Sequence, residues 1–173
     1  MTYVSWFLSM LIAGTFAVSA WSKLHSRAAF GEFAVAVREM TGMRRQSALA
    51  AAAGVAVGEL AISVASVTGA ARTGLGCAVL LLAAFTGLLI RTIAAGRRLR
   101  CNCFGMSSAP VSVRHIVRNV VLIATAATGF ILGSPYGHGH AAAAGLLLCG
   151  VAAAVPVAAI ALLDDLAELF RIS

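Results

Sequence analysis

Residues 73–95 read TGLGCAVLLLAAFTGLLIRTIAA, with eighteen uncharged residues before Arg91. A helix of about 20 apolar residues crosses the hydrocarbon core of a bilayer, so this stretch predicts a transmembrane helix. Similar stretches occur at 4–20, 47–69, 113–133 and 141–163. Over the whole chain, 61% of the 173 residues are hydrophobic and 11% are charged, whereas about a quarter are charged in soluble domains. The sequence therefore predicts an all-α polytopic membrane helix bundle that forms a single domain over residues 1–173.

Basic residues are unevenly distributed between the predicted loops. Twelve of the thirteen fall on one side of the predicted spans, and Arg72 alone falls on the other. Because such an excess marks the cytoplasmic side, we expect an outside N-terminus and a cytoplasmic C-terminus in the inner (plasma) membrane. The same rule accounts for the net charge of +7 without nucleic-acid binding. Met1–Trp6 contains no basic residue, so we expect the first span to be retained rather than cleaved.

The longest polar segment, residues 21–46, has an amphipathic pattern. Its apolar residues recur at helical spacing: Phe30, Phe33, Ala34, Val37 and Met40. This pattern predicts a short helix lying along the cytoplasmic interface. Trp21 and Lys23, which precede it, are typical interfacial anchors, and Lys23 is also predicted as a supporting residue of the functional site.

Two cysteines one residue apart, Cys101 and Cys103, follow a basic run that includes Arg100. Neighbouring positive charge favours the thiolate, which is the form that attacks disulfides. A disulfide across one intervening residue closes a small, strained ring, which suits exchange better than permanent cross-linking. We interpret the pair as a thiol–disulfide exchange site. An inert pair is the alternative, and two sulfurs alone make a poor zinc site, so we expect no metal.

The residues around the pair have expected roles in this chemistry. Cys101, beside Arg100, is expected to attack a partner disulfide, and Cys103 is expected to resolve the mixed disulfide. Phe104 and Gly105 would shape the turn that presents the two thiols.

Polar residues also open the fourth apolar stretch. Arg114 and Arg118 are four residues apart and would share one face of a helix. Either arginine would stabilise the thiolate across the turn. Asn119, one position deeper, is placed to donate a hydrogen bond to a buried carbonyl or sulfur.

Glu59 lies in the middle of the second predicted span. A carboxylate there is costly unless it is protonated, paired or facing a polar cavity. We interpret it as a proton acceptor coupled to thiol oxidation or as a contact for a quinone head group. The alternative is an interhelical hydrogen bond that fixes packing. The hydroxyls of Thr86 and Thr125 are its expected partners.

Cys77 and Cys149 are predicted to enter the membrane from the outer side at similar depths. If their helices adjoined, the two thiols would form a second pair near the outer face. The alternative is that each is a small apolar residue in a packed interior.

The order of these features resembles the MauE family of membrane proteins, within the wider DoxX-like group. The residues that carry the resemblance are Ser22-Lys23-Leu24, Phe30, Glu59, the run Arg97-Arg98-Leu99-Arg100-Cys101-Asn102-Cys103-Phe104-Gly105, and Arg118-Asn119. The resemblance implies a DoxX-like four-helix core over about residues 4–133, with a fifth span at 141–163 outside that core.

The resemblance also implies a redox-associated role. MauE proteins are thought to form or deliver disulfides during maturation of methylamine dehydrogenase, beside a thioredoxin-like partner. We therefore expect a membrane thiol–disulfide oxidoreductase with a separate thioredoxin-like partner. Two alternatives stay open: an assembly scaffold without enzymatic activity, and a quinone-linked subunit of DoxX type in which Glu59 matters more than the thiols.

Overall fold

The computed structural model describes residues 2–95, 113–133, 145 and 148–159. These residues form helices, those within 2–95 are joined by short turns, and no strand occurs among the described residues. The helices are α1 (Thr2–Leu24), α2 (Arg27–Thr41), α3 (Arg45–Val67), α4 (Ala71–Ala94), α5 (Val113–Leu132) and α6 (Leu148–Ala159). The all-helical class predicted from the sequence is confirmed.

Four helices, α1, α3, α4 and α5, are long and apolar enough to cross a membrane. Their spanning parts contain 18 to 24 residues, and about 20 residues at 1.5 Å each match the hydrocarbon thickness. The predicted first span, 4–20, was too short at its carboxyl end, because α1 continues to Leu24. Of the predicted fifth span, 141–163, the continuous described part is α6, a shorter apolar helix.

The helix α1 is central and contacts α2, α3, α4 and α5. It runs antiparallel to α3, because Ser63 Oγ donates to the Ala13 carbonyl at 2.9 Å while Ser19, later on α1, contacts Glu59, earlier on α3. Apolar side chains from α1, α3, α4 and α5 form the main core: Leu11, Ile12, Phe16, Ile62, Leu75, Leu82, Leu122 and Ala126. The bundle is thus arranged around α1.

Polar residues are also buried along α1. They are Ser5, Ser9, Thr15, Ser19 and Lys23, and the four-residue steps among them keep neighbouring members on one face. Buried polar groups in a membrane bundle need internal partners because lipid supplies none. Thr15, for example, donates to the Leu11 carbonyl at 2.8 Å. Buried polar groups therefore occur along the whole length of α1.

The predicted amphipathic helix is confirmed as α2. Ser26 caps its amino end by accepting from the Ala29 amide at 3.1 Å. It ends at Gly42, whose φ of +70° is the left-handed conformation that favours glycine. Phe33 and Ala34 are buried and pack with Ala52 of α3. The apolar face of α2 therefore covers the helix bundle.

The helices α3 and α4 approach closely at the end joined by the short turn 68–70. A Cβ atom added at Gly74 would lie 2.7 Å from the Ser66 amide nitrogen. Since real Cβ atoms do not approach backbone nitrogen this closely, only glycine fits at this crossing. Small residues commonly allow such close backbone packing in membrane bundles.

Cys77 and Cys149 are both free thiols. Cys77 is exposed on α4, whereas Cys149 Sγ lies 3.6 Å from the Tyr3 carbonyl oxygen. The second cysteine pair that the sequence allowed, Cys77 with Cys149, is therefore not formed.

Candidate functional site: a buried ion pair beside a polar cavity

Lys23 of α1 and Glu59 of α3 form a buried ion pair. Lys23 Nζ lies 2.8 Å from both Oε1 and Oε2 of Glu59. The whole Lys23 residue is 2% exposed, and Glu59 is 7% exposed. An ion pair taken out of water is maintained only with good geometry and further hydrogen bonds. Both carboxylate oxygens are engaged here, so the pairing meets the first requirement.

Ser19 supplies the further hydrogen bonds. Lys23 Nζ donates to Ser19 Oγ at 2.6 Å and lies 3.2 Å from the Ser19 carbonyl oxygen. The Ser19 hydroxyl donates to Glu59 Oε1 at 3.0 Å. The Lys23 ammonium also lies 5.0 Å from the centroid of the Phe33 ring of α2, within the range of a cation–π contact. Three helices therefore contribute to this cluster.

The extra turn at the end of α1 places Lys23 in this cluster. Ser19 and Lys23 are four residues apart, so both face α3. The prediction that Lys23 is an interfacial anchor is therefore wrong, because its aliphatic stem and ammonium turn into the bundle towards Glu59. Trp21, on another face of α1, is 72% exposed, as expected of an anchor.

The predicted hydroxyl partners of Glu59 are also wrong. Thr86 Oγ1 donates to the Leu82 carbonyl of its own helix at 2.7 Å. Thr125 is half-buried and donates to the Val121 carbonyl at 2.9 Å. Both hydroxyls follow the usual pattern of bonding one turn back, whereas Glu59 has a partner of opposite charge.

A cavity of about 30 Å³ adjoins the ion pair between α1, α3, α4 and α5. Its lining residues are Thr15, Phe16, Ser19, Val55, Glu59, Leu81, Leu82, Phe85, Arg118 and Asn119. Half of these carry polar or charged side chains. A water molecule needs about 10–15 Å³ of such space, so the cavity has room for water, and Glu59, Arg118 and Asn119 are among the polar residues of its wall.

The helix α5 brings the predicted Arg118 and Asn119 to this cavity. Asn119 is buried, and so is His115 one turn before it. Nε of Arg118 is buried as well. Arg114 lies in the first turn of α5, four residues before Arg118. The structure thus joins Glu59, Arg118 and Asn119 around one interior space, and Lys23 is paired with Glu59 beside it.

The remaining predicted site residues lie outside the described part of the chain. They are Arg100, Cys101, Cys103, Phe104 and Gly105. In sequence they belong to the segment that joins the end of α4 at Ala94 to the start of α5 at Val113.

Two features of the site were missed by reasoning from the sequence: the role of Ser19, and the pairing of Lys23, a predicted supporting residue, with Glu59. Ser19 was not singled out, although it lies four residues before Lys23. Lys23 is also the only lysine in the chain, since the other twelve basic residues are arginines. A lone lysine and a lone carboxylate in neighbouring apolar segments were the available signals for this pair.

Comparison with known proteins gives one positive result. The family model described as "Methylamine utilisation protein MauE" matches residues 1–132. No curated protein and no solved structure matches the chain. The matched range contains the ion pair, the cavity-lining residues and the segment with Cys101 and Cys103. Together with its four spanning helices, this match makes the chain a multi-pass membrane protein of the MauE family, the methylamine utilisation proteins.

Proposed function

We propose that the protein is a thiol–disulfide exchange protein of the inner membrane, acting through Cys101 and Cys103 on a thioredoxin-like partner. One observation carries the proposal: a Cys-x-Cys pair with a basic lead lies in the connection between α4 and α5. The first turns of α5 then supply Arg118 and Asn119 to the interior cavity. Reactive sulfur and cationic side chains therefore adjoin in sequence at one end of two spanning helices.

The exchange needs no cofactor of its own. The Cys101 thiolate attacks a disulfide of the partner, forming a mixed disulfide and releasing one partner thiolate. Cys103, as thiolate, then attacks Cys101 Sγ and displaces the second partner thiolate. The products are a Cys101–Cys103 disulfide and a reduced partner, so two electrons have moved from this protein to the partner. The reverse sequence delivers a disulfide to a reduced partner.

The basic residues support a cytoplasmic placement of this pair. Arg91 near the end of α4 and Arg118 near the start of α5 flank the connecting segment. Because basic residues concentrate on the cytoplasmic side, we place the thiols there, with the N-terminus outside.

The thiol redox state in native membranes tests the proposal. Cells are acid-quenched, and cysteines alkylated before and after reduction are counted by mass shift. We expect a Cys101–Cys103 disulfide whose population follows the cellular redox conditions. The Cys103→Ser variant should accumulate a mixed disulfide that identifies the partner.

The matched control is a Cys77→Ser/Cys149→Ser double variant, because these two thiols are free. It should keep the reversible mass shift, whereas Cys101→Ser/Cys103→Ser should lose it. Permanently reduced thiols at 101 and 103, with full function of the double serine variant, would instead support an assembly scaffold.

A second candidate function, quinone-linked redox chemistry, is favoured by a groove between α3 and α4. The groove measures about 590 Å³ and is lined by Gly58, Ala61, Ile62, Ala65, Thr73, Gly74, Cys77, Leu80, Leu81 and Ala84. Leu81 also lines the polar cavity, and Gly58 precedes Glu59. An apolar groove beside a polar cavity fits a molecule with an apolar tail and a hydrogen-bonding head. A bound quinone would supply a two-electron acceptor.

Separate variants distinguish the two functions. If quinone chemistry at the cavity is the main activity, Glu59→Gln should abolish function while Cys101→Ser/Cys103→Ser retains it. If thiol exchange is the main activity, the cysteine variant should lose function completely.

A further inference from the structure

We propose that Lys23 and Glu59 form a proton-exchanging pair served by water in the adjoining cavity. The proposal deepens the proposed thiol function by naming a proton site, but its test does not require that function. The two groups are held in direct contact, with Nζ 2.8 Å from each carboxylate oxygen. A proton can therefore move between them without any rearrangement of the helices.

The choice of lysine supports exchange over a purely structural pairing. Lys23 is the single lysine beside twelve arginines, and its ammonium is the cation in contact with the buried Glu59 carboxylate. A guanidinium stays charged in proteins and binds carboxylates in a bidentate manner, which makes it the usual choice for a static buried pair. An ammonium, in contrast, can lose its proton in a buried setting. The cation placed against the buried carboxylate is therefore one that, unlike arginine, can lose its proton.

The cavity supports exchange between the pair and water. Ser19 and Lys23 both donate to Glu59 Oε1, whereas among the described residues Lys23 is the one donor to Oε2. A carboxylate oxygen accepts about two hydrogen bonds, so Oε2 has capacity for a further donor. The cavity of about 30 Å³ beside Glu59 holds a water molecule by volume, and Asn119 and Thr15 add polar groups to its wall.

The proton movements balance in two steps. Transfer of one proton from Nζ to an Oε atom converts the ion pair into a neutral amine and a neutral carboxylic acid, with no change in net charge. Movement of that carboxyl proton to cavity water leaves an amine and a carboxylate, which lowers the charge of the pair by one. The reverse steps take up one proton from water. The Ser19 hydroxyl, bonded to both groups, stays in place throughout.

Several other groups face the pair or its cavity. The helix α5 contributes Arg118 to the cavity wall and carries the titratable His115 one turn from Asn119. The helix α2 contributes the Phe33 ring, and the lining side chains from α4, which include Leu82 and Phe85, are apolar. Arg118 keeps its charge at all relevant pH values. The assignment of a titration to Lys23 therefore has to exclude His115.

The single lysine makes a direct measurement possible. Protein labelled with ¹⁵N only at lysine and placed in lipid bilayers has one side-chain ¹⁵N signal, which reports Lys23 alone. Its chemical shift separates ammonium from amine, and magnetisation transfer from water reports contact with cavity water. We expect water transfer to Nζ and an ammonium population that changes across a pH series in the full-length protein.

Four variants sharpen the result. Lys23→Arg removes the signal and confirms the assignment, and His115→Gln should leave the Lys23 titration in place. Asn119→Leu should reduce water transfer, whereas Thr125→Val, which changes a hydroxyl on the same helix that does not line the cavity, should not. An Nζ that remains fully ammonium, without water transfer, from acid to alkaline pH would overturn the proposal.

The failure of this proposal is distinguishable from failure of the thiol function. The same spectra are recorded for Cys101→Ser/Cys103→Ser, in which thiol exchange is absent. Exchange at Lys23 that persists there supports the proton site, even if redox assays show no exchange at the cysteines. If the Lys23 signal of the wild-type protein does not change with pH although thiol exchange is intact, the result contradicts the proton site and leaves the thiol function standing.

Discussion

Lys23 and Glu59 each compensate the charge of the other inside the bundle. Both residues are buried, and Ser19 forms a hydrogen bond with each of them. A buried charge that loses its partner is strongly destabilising, whereas a matched replacement of both partners is often neutral. The energetic role of the pair is therefore visible only when both residues are changed together.

We expect Lys23→Met and Glu59→Gln each to lower the free energy of unfolding by about 3–5 kcal/mol, because each substitution leaves the other member of the pair buried without its partner of opposite charge. The double variant Lys23→Met/Glu59→Gln should lose far less than the sum of the two. The measurement is denaturation of the purified protein in detergent by increasing dodecyl sulfate, analysed as a double-mutant cycle. Strict additivity would show that the two side chains do not interact.

Two helix crossings determine how the elements meet. At Gly74 the backbones of α3 and α4 are in contact, because a Cβ atom would lie 2.7 Å from the Ser66 amide nitrogen and 2.9 Å from Ser66 Oγ. At Phe33 the amphipathic helix α2 packs its ring against the bundle and beside the Lys23 ammonium. The α3–α4 crossing requires glycine at position 74, because there is no room for a side chain. The contact of α2 with the bundle depends on the large side chain of Phe33.

Gly74→Ala should destabilise the bundle by about 1–3 kcal/mol, the usual cost of overpacking, because backbone atoms cannot move aside as a flexible side chain can. Gly87→Ala is the matched control on the same helix, since a Cβ atom there meets nothing within 4 Å. The two variants are compared by thermal denaturation in detergent. Equal stability of the two would contradict the close crossing at Gly74.

Phe33→Ala should loosen α2 from the bundle and cost about 3 kcal/mol through lost packing. The matched control is Val35→Ala, because Val35 is half exposed on the same helix. Hydrogen exchange of the α2 amides provides the readout, and we expect faster exchange in Phe33→Ala only. Unchanged exchange would mean that Phe33 does not hold α2 in place.

At the scale of the whole molecule, the connections set the sidedness of the membrane. The short turn between α2 and α3 lies among basic residues, whereas the turn between α3 and α4 has Arg72 nearby as its basic residue. We expect the first turn in the cytoplasm and the second outside.

In a background with the four native cysteines replaced by serine, Met43→Cys should react with a membrane-impermeant maleimide only after the membrane is opened. Gly69→Cys should react in intact cells. Both positions are exposed in turns, so an absent reaction reflects sidedness rather than burial. The opposite labelling pattern would invert the proposed topology and place Cys101 and Cys103 outside.

The sequence by itself determined the class of structure. Long uncharged segments have too few polar groups to form a soluble surface, and in a membrane they satisfy their backbone hydrogen bonds by forming helices. The four spanning helices were therefore predictable from composition. The amphipathic helix α2 was predictable from the helical spacing of its apolar residues. The motif around Cys101 and Cys103 also indicated the MauE family, which the family match confirms. The same reasoning identified Glu59, Arg118 and Asn119 as unusual residues, because polar groups in such segments are costly.

Only the tertiary structure decided which of these residues meet. Lys23 looks like an interfacial anchor in sequence because it follows an apolar span, yet one further turn of α1 carries it to Glu59. The pairing joins residues 36 positions apart, and the antiparallel register of α1 and α3 sets it. That register depends on packing across the whole interface, including Ser63 against Ala13. Local periodicity specifies the face of each helix, whereas the depth at which two faces meet is fixed only by three-dimensional packing.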